Sequence, residues 1–146
     1  FFCDYMVETI KLFSMSKKQI MRRMTFSGVE DMKADLEKNN VNFGFMYLGH
    51  YCNWEWIASM AYWTGNDILC TQIYHPLYNK NFDKLFLRLR NQFGGECIPM
   101  RETLRRIITL KREHQKTFVG FIANQSPKIG CLSCIVRLLS SSARNK

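Results

Sequence analysis

The chain has 146 residues, of which 47% are hydrophobic, and it carries a formal net charge of +9. This length and composition predict one globular domain with a hydrophobic core, and they exclude an intrinsically disordered chain. The positive charge favours an anionic partner such as nucleic acid, anionic lipid or an acidic carrier protein. The alternative is a solvated basic surface that has no special partner.

Six cysteines are present, and the first four are scattered singly along the chain. This distribution is typical of small buried side chains in a reducing compartment. Cys131 and Cys134 form a CxxC pair, but no second pair or histidine follows at zinc-finger spacing, so no metal site is expected. No apolar stretch approaches the ~20 residues of a membrane span. The first residue is Phe1 rather than Met, so we expect a piece of a longer protein.

The first third of the chain predicts helices followed by a strand. Apolar residues at three- and four-residue spacing indicate an amphipathic helix over residues 1–24, broken near Ser14. Ser27, followed three residues later by Glu30, predicts a capping box at the start of a second helix. The apolar run VNFGFMYLG then predicts a strand. Asn53 can cap the next helix.

The remaining segments alternate between strand and helix patterns. DILCTQIY, ECIPM and TFVGFIA predict strands, and NKNFDKLFLRLRNQFGG and RETLRRIITLKREHQ predict amphipathic helices between them. Strands that alternate with helices of ten or more residues are typical of βαβ units. The predicted fold class is therefore α/β, with a mainly parallel sheet of about four strands, flanking helices and preceding N-terminal helices.

The segment GHYCNWEW, which follows the first predicted strand, contains the candidate catalytic residues. Reactive groups in open α/β sheets gather beyond the carboxyl ends of the strands, where His50 and Glu55 would lie. A carboxylate that binds one imidazole nitrogen orients the ring, and the other nitrogen can then accept a proton from a hydroxyl. Two alternatives stay open: Cys52 as a nucleophile beside His50, or an incidental histidine near a helix-terminal carboxylate.

Four blocks of the chain resemble, in order, the late acyltransferases of lipid A biosynthesis. These blocks are GHYCNWEW, IYHPLYN, FDKLFLRLRNQFGGECIP and FIANQSP. The family comprises lauroyl and myristoyl transferases of the wider lysophospholipid acyltransferase superfamily. The resemblance implies that residues 1–128 are the N-terminal and central part of the acyltransferase domain and that residues 129–146 are an atypical tail.

The resemblance also implies a reaction that needs no cofactor. An acyl chain would move from the thioester of acyl carrier protein to a hydroxyl of a lipid A precursor, at the cytoplasmic face of the cell inner membrane, where the protein would be peripheral. His50 would be the general base and Glu55 its orienting partner. The expected partners are acyl carrier protein, the lipid A precursor and an anionic membrane surface.

The resemblance implies further substrate-binding residues. Arg88 falls in the arginine-containing block with Arg90 beside it, and guanidinium groups suit the phosphates of the acceptor. The alternative for both is a solvated helix face. Asn124 and Gln125 lie in the block where the family has Asp-Gln, so Asn124 replaces a carboxylate. This departure, together with a length about half that of family members, leaves an inactive fragment as an alternative.

The basic charge is concentrated in one quarter of the chain. Residues 80–116 contain ten Lys or Arg against four Asp or Glu. This stretch suits an acidic carrier protein or anionic lipid, and a nucleic-acid-binding module is the competing interpretation. No nucleic-acid motif appears, so we expect no nucleic-acid partner. A separate group of aromatic residues predicts an acyl-chain pocket, a membrane-facing surface or, more simply, core: Trp54, Trp56, Tyr62 and Trp63.

Overall fold

The computed structural model describes residues 2–122, which form an α/β fold with one parallel sheet. The strands are β1 (Phe43–Leu48), β2 (Leu69–Tyr74), β3 (Glu96–Pro99) and β4 (Thr117–Ile122). The helices are α1 (Phe2–Ser14), α2 (Lys17–Arg23), α3 (Val29–Lys38), α4 (Ala61–Thr64), α5 (Lys80–Asn91) and α6 (Thr103–Arg112). Short 3₁₀ helices, Trp54–Met60 and Met100–Glu102, precede α4 and α6.

The strand order is β1-β4-β2-β3, and every neighbouring pair is parallel. All four strands therefore end at the same edge of the sheet, because parallel strands share a direction. The predicted α/β class, with about four parallel strands and preceding N-terminal helices, is confirmed. The register pairs Leu48 at the end of β1 with Ile122 at the end of β4.

Two hydrophobic clusters form the core, and the 3₁₀ helix Trp54–Met60 contributes to both. One cluster joins α1, α2 and α5 through Leu12, Ile20, Ala58, Leu89 and Phe93. The other joins α3 to the sheet through Leu36, Met60, Ile68, Cys70 and Phe118. The segment that follows the predicted catalytic histidine is therefore anchored on both sides by buried apolar side chains.

A close approach between β1 and β4 requires glycine at one position. A Cβ atom added to Gly44 would lie 2.7 Å from the Phe118 ring, well inside van der Waals contact. Phe118 is 1% exposed and fills the centre of its cluster, so it has little room to move. Gly44 thus lets the aromatic ring pack directly against the backbone of β1.

The N-terminal helices begin and end largely as predicted, with one correction. The first helix breaks at Ser14, and a capping box starts α2, where the Ser16 hydroxyl accepts from the Gln19 amide. The capping box predicted at Ser27 is wrong. The residue at the N-cap of α3 is Gly28, whose left-handed backbone (φ +79°) turns the chain without a side-chain cap.

The apolar faces of the later helices are only partly covered among residues 2–122. On α5, Leu89 is fully buried, whereas Phe82 and Leu85 remain about half exposed. On α6, the predicted apolar residues Leu104 and Ile108 are exposed at 45% and 43%. The fully buried apolar residues of these helices, Leu89 and Leu110, lie toward the C-terminal ends, a distribution that the apolar spacing did not predict.

Some predictions lie outside the described residues. They are the domain boundary at 128, the tail 129–146 and the substrate-binding candidates Asn124 and Gln125. These stay predictions. Within residues 2–122, none of the helices has the length and apolar character needed to span a bilayer.

Candidate active site

His50 lies in the turn directly beyond β1, at the sheet edge where all four strands end. The turn is tight, because the Tyr51 amide donates a hydrogen bond of 2.9 Å to the Gly49 carbonyl. Cys52 has a left-handed backbone (φ +51°), and its side chain is exposed. His50 itself is half-buried. The predicted position of the histidine in a strand-to-helix turn is therefore correct.

Asn53 starts the helical segment that carries the predicted carboxylate. Its side-chain oxygen accepts a hydrogen bond of 3.2 Å from the Glu55 amide, as expected for an N-cap residue. The segment then follows a 3₁₀ path from Trp54 to Met60 before it becomes α-helical. This geometry turns Glu55 inward, where it is only 3% exposed.

Arg90 of α5 neutralises the buried carboxylate of Glu55. Its Nε atom donates to Glu55 Oε2 at 2.7 Å, and its Nη2 atom donates to Oε1 at 2.6 Å. Such a bidentate pair is the strongest common arrangement of guanidinium and carboxylate. Burial alone would lower the pKa of Arg90, but the hydrogen bonds and charge of Glu55 outweigh burial and raise it. The guanidinium therefore pairs with both carboxylate oxygens of Glu55.

Tyr5 of α1 supplies a further hydrogen bond to the same carboxylate. Its hydroxyl donates to Glu55 Oε1 at 3.2 Å. Burial, reinforced by the charge and hydrogen bond of Glu55, raises the pKa of Tyr5 to about 12. The phenol is neutral at physiological pH, so it can donate its proton in the hydrogen bond to the Glu55 carboxylate.

Aromatic rings connect His50 to α1. The His50 ring meets the Trp54 ring edge-to-face with centroids 4.7 Å apart, and Trp54 stacks on Tyr5 at 4.9 Å. Trp54 therefore separates the imidazole from the N-terminal helix and supports one side of it. The other predicted aromatic residues pack against the core cluster that contains Leu12, as their simpler interpretation predicts: Trp56, Tyr62 and Trp63.

The turn is also tied to α1 through the side-chain amide of Asn53. Its nitrogen donates to Glu8 Oε2 at 3.1 Å and to Thr9 Oγ1 at 3.4 Å, and it lies 3.5 Å from the Tyr5 carbonyl oxygen. Thr9 is 3% exposed, so this contact lies at the inner face of the helix. One face of α1 thus contacts three consecutive residues of the segment that follows His50.

The two candidate phosphate-binding arginines have different environments. Arg88 is exposed on α5. Arg90 has only 19% of its side chain exposed and directs two of its three nitrogen atoms at Glu55. Its role in substrate binding stays a prediction, but its structural role is to compensate the buried carboxylate. Elsewhere in the basic stretch, Arg106 forms a comparable bidentate pair with Glu96 at 2.7 and 2.9 Å.

Sequence reasoning missed two features of this site. It assigned Arg90 to substrate without proposing its pairing with Glu55, and it gave Tyr5 no role. A signal for the first existed, because Glu55 lies between two tryptophans, and a carboxylate in so apolar a segment needs a compensating charge. No comparable signal marks Tyr5, which is 50 residues distant in sequence from its partner.

The fold and the site together define an α/β protein with a histidine and a buried, ion-paired carboxylate at the carboxyl edge of a parallel sheet. The family model of the bacterial lipid A biosynthesis acyltransferases matches residues 2–130. The chain belongs to this family, and its function is of the acyltransferase kind that the family name describes. No curated protein and no solved structure matches the chain significantly.

Proposed function

We propose that this chain transfers a fatty acyl group from the thioester of acyl carrier protein to a hydroxyl of a lipid A precursor. The observation that carries the proposal is the half-buried His50 in the turn beyond β1, five residues before the buried carboxylate of Glu55, in a chain of this family.

In the proposed reaction, one ring nitrogen of His50 accepts the proton of the acceptor hydroxyl. The hydroxyl oxygen attacks the thioester carbonyl carbon, the C–S bond breaks, and the thiolate of the carrier protein leaves. The protonated His50 then returns its proton to the thiolate, so the products are an ester and a thiol. A general base of this kind contributes about 10² to 10⁴ in rate.

Glu55 is proposed to orient His50 and to stabilise its protonated form. The buried ion pair with Arg90 supports the orienting role, because it fixes both carboxylate oxygens in place. The negative charge of Glu55 is nevertheless partly offset by Arg90. The contribution of Glu55 to His50 is therefore expected to be orientation more than net electrostatic attraction.

Arg88 is the better of the two arginines for direct contact with a phosphate of the acceptor. It is exposed, and it precedes Arg90 by two residues on the same helix. Arg90 is proposed to contact substrate only through the part of its guanidinium that faces away from Glu55. Asn124 and Gln125 complete the proposed substrate-binding set from the chain beyond β4, the strand that neighbours β1.

We also propose that the protein sits peripherally on the cytoplasmic face of the inner membrane. The N-terminal helices expose several large apolar side chains: Phe2 (71%), Ile10 (63%), Val7 (50%) and Met21 (39%). The basic residues Lys18, Arg22 and Arg23 line a surface cavity of about 310 Å³ on α2. Exposed apolar and basic side chains on neighbouring helices suit an anionic bilayer surface, which attracts each nearby cation by about 1 kcal/mol.

Flotation with lipid vesicles tests the membrane proposal. The 146-residue chain should bind vesicles that contain anionic phospholipid more strongly than purely zwitterionic ones, and added salt should weaken the binding. Substituting Lys18, Arg22 and Arg23 together by Glu should abolish the preference. The same charge change at three exposed residues of the basic stretch, namely Arg105, Lys111 and Arg112 of α6, compares the two basic surfaces. Equal loss of the preference for anionic vesicles in both variants would refute a specific role of α2.

The catalytic proposal is tested by mixing the 146-residue chain with acyl carrier protein that bears a radiolabelled acyl chain and with a lipid A precursor. Time-dependent appearance of the label in the lipid product, together with release of free carrier thiol, supports acyl transfer. The Glu55→Gln variant serves as a comparison that keeps side-chain shape while removing the charge. Binding of carrier protein without any product would favour the alternative of an inactive member of the family.

A further inference from the structure

One side chain of the N-terminal helix α1, that of Tyr5, reaches two parts of the candidate site. These parts are the Glu55 carboxylate and the Trp54 ring that supports His50. The Tyr5 hydroxyl donates to Glu55 Oε1 at 3.2 Å, and the Tyr5 ring stacks on Trp54 at 4.9 Å. Trp54 in turn meets the His50 ring edge-to-face at 4.7 Å. Tyr5 therefore contacts both the predicted orienting carboxylate and the aromatic support of the predicted base.

We propose that Tyr5 is a positioning residue for the reaction. It fixes the Trp54 ring against which the imidazole of His50 packs, and it fixes the Glu55 carboxylate in the orientation that Arg90 also requires. The proposal rests on the proposed function in so far as it concerns catalysis. Its structural part, the support of the His50 ring by Tyr5 through Trp54, is independent of that function.

The surroundings of Tyr5 make it suited to this role. The contacts of Asn53 with Glu8 and Thr9 hold α1 against the turn directly before Trp54. One helical turn further along, Leu12 is fully buried in the core cluster that also contains Ala58 of the 3₁₀ helix. α1 thus cannot shift relative to the turn without breaking polar and apolar contacts together. Preorganised support of this kind keeps reactive side chains within the narrow geometry that catalysis needs.

Two substitutions distinguish the contribution of the Tyr5 hydroxyl from that of its ring. Tyr5→Phe removes the hydrogen bond to Glu55 but keeps the stack on Trp54, whereas Tyr5→Ile removes both. Tyr62→Phe is the matched control, because Tyr62 is also half-buried and packs its ring edge-to-face on Phe93 in the core cluster that contains Leu12. In acyl-transfer assays, Tyr5→Phe should lower kcat about ten-fold with little change in KM, as expected for loss of a hydrogen bond to a charged group. Tyr62→Phe should match the wild type.

A spectroscopic measurement tests the positioning without any turnover. The chain contains three histidines, and the carbon-bound ring protons of His50 lie in the ring-current field of Trp54. In ¹H–¹³C spectra of the 146-residue chain, Tyr5→Ile should move the His50 ring resonances while those of His75 and His114 stay in place. Substituting each histidine in turn assigns the three sets of resonances.

The outcomes separate the inference from the proposed function. If the wild-type chain shows no acyl transfer, the proposed reaction fails, and the His50 resonances still decide whether Tyr5 positions the ring. If Tyr5→Ile does not fold, the kcat of Tyr5→Phe relative to Tyr62→Phe decides instead. His50 resonances that stay at their wild-type positions in a folded Tyr5→Ile variant would overturn the inference. So would equal kcat values for Tyr5→Phe and Tyr62→Phe.

Discussion

Arg90 and Glu55 form a bidentate ion pair that joins α5 to the 3₁₀ helix behind His50, with N···O distances of 2.7 and 2.6 Å. The side chain of Glu55 is 2% exposed and that of Arg90 is 19% exposed. The pair therefore replaces the hydration that both ions lose on folding. It also ties the position of the carboxylate to the helix that carries the candidate phosphate-binding residue Arg88.

Removing Arg90 should destabilise the protein strongly. Arg90→Ala leaves Glu55 buried without a counter-charge, which typically lowers the free energy of unfolding by about 3–5 kcal/mol. Urea denaturation followed by circular dichroism measures the change. Arg88→Ala is the control, because Arg88 is exposed two residues away on the same helix, and its loss should change stability by less than about 0.5 kcal/mol.

A double variant tests whether the cost comes from the unpaired charge. Glu55→Met combined with Arg90→Met removes both ions and keeps most of the buried volume, so it should destabilise the protein much less than the sum of the two single variants. If the loss in free energy of unfolding of the double variant equals the sum of the losses of the two single variants, the two side chains stabilise the fold separately. That result would contradict the pairing.

The substitution Gly44→Ala should be costly, because the new methyl group would lie 2.7 Å from the Phe118 ring. Overpacking of this kind typically destabilises by about 1–3 kcal/mol. Gly120→Ala in β4 is the matched control, since its added Cβ would meet its nearest atom at an ordinary 3.5 Å. Thermal unfolding of both variants compares them, and equal losses would contradict the close contact between β1 and Phe118.

The stability of the protein should fall in alkaline solution. Burial, reinforced by Glu55, raises the pKa of Tyr5 to about 12, and burial raises the pKa of Cys97 to about 11. Both groups lose their protons more readily when the chain unfolds, with pKa values near 10.0 and 9.0. Their contribution is therefore complete below pH 9 and is lost progressively as the pH rises toward 12.

Urea denaturation at a series of pH values measures this alkaline loss. Tyr5→Phe and Cys97→Ala each remove one titrating group, so each variant should lose less stability between pH 9 and 12 than the wild type loses. The expected difference is in the slope of the free energy of unfolding against pH, whatever the stability of each variant at neutral pH. A wild-type slope retained in both variants would contradict the raised pKa values.

Sequence periodicity predicted the sheet well because each strand is a short apolar run bounded by clear turn residues, as at Gly49 and at His75–Pro76. It predicted the position of His50 for the same reason, since the end of β1 fixes it. It failed for α3, where Ser27 and Glu30 match a capping box but the left-handed Gly28 takes the N-cap position. Local pattern alone does not reveal which of two adjacent residues turns the chain.

The environment of Glu55 was much less predictable. Its partners Arg90 and Tyr5 are 35 and 50 residues away along the chain, in different helices. Only the packing of α1 and α5 on the same 3₁₀ segment brings them together, and no local spacing encodes that packing. The charge of Arg90 indicated an anionic partner, but a substrate phosphate and a buried carboxylate satisfy it equally well.

Arg88 should contribute to acceptor affinity without contributing to the proton transfer. Arg88→Ala is expected to raise KM for the lipid acceptor by roughly ten-fold, with little change in kcat, because a charge-assisted phosphate contact is worth about 1.5–3 kcal/mol. Initial rates at varied acceptor concentration give both constants. A fall in kcat at unchanged KM would instead assign Arg88 to the chemical step.

The central claim is that His50 is the general base. The most direct test is the rate of acyl transfer by His50→Ala, measured with acylated acyl carrier protein and a lipid A precursor. His114→Asn is the control, because His114 precedes β4 at the opposite edge of the sheet, and Asn tolerates its left-handed backbone (φ +54°). Loss of the general base predicts a kcat about 10² to 10⁴ lower for His50→Ala, with the control unchanged. Near-normal turnover by a folded His50→Ala variant would contradict the assignment of His50 as the base.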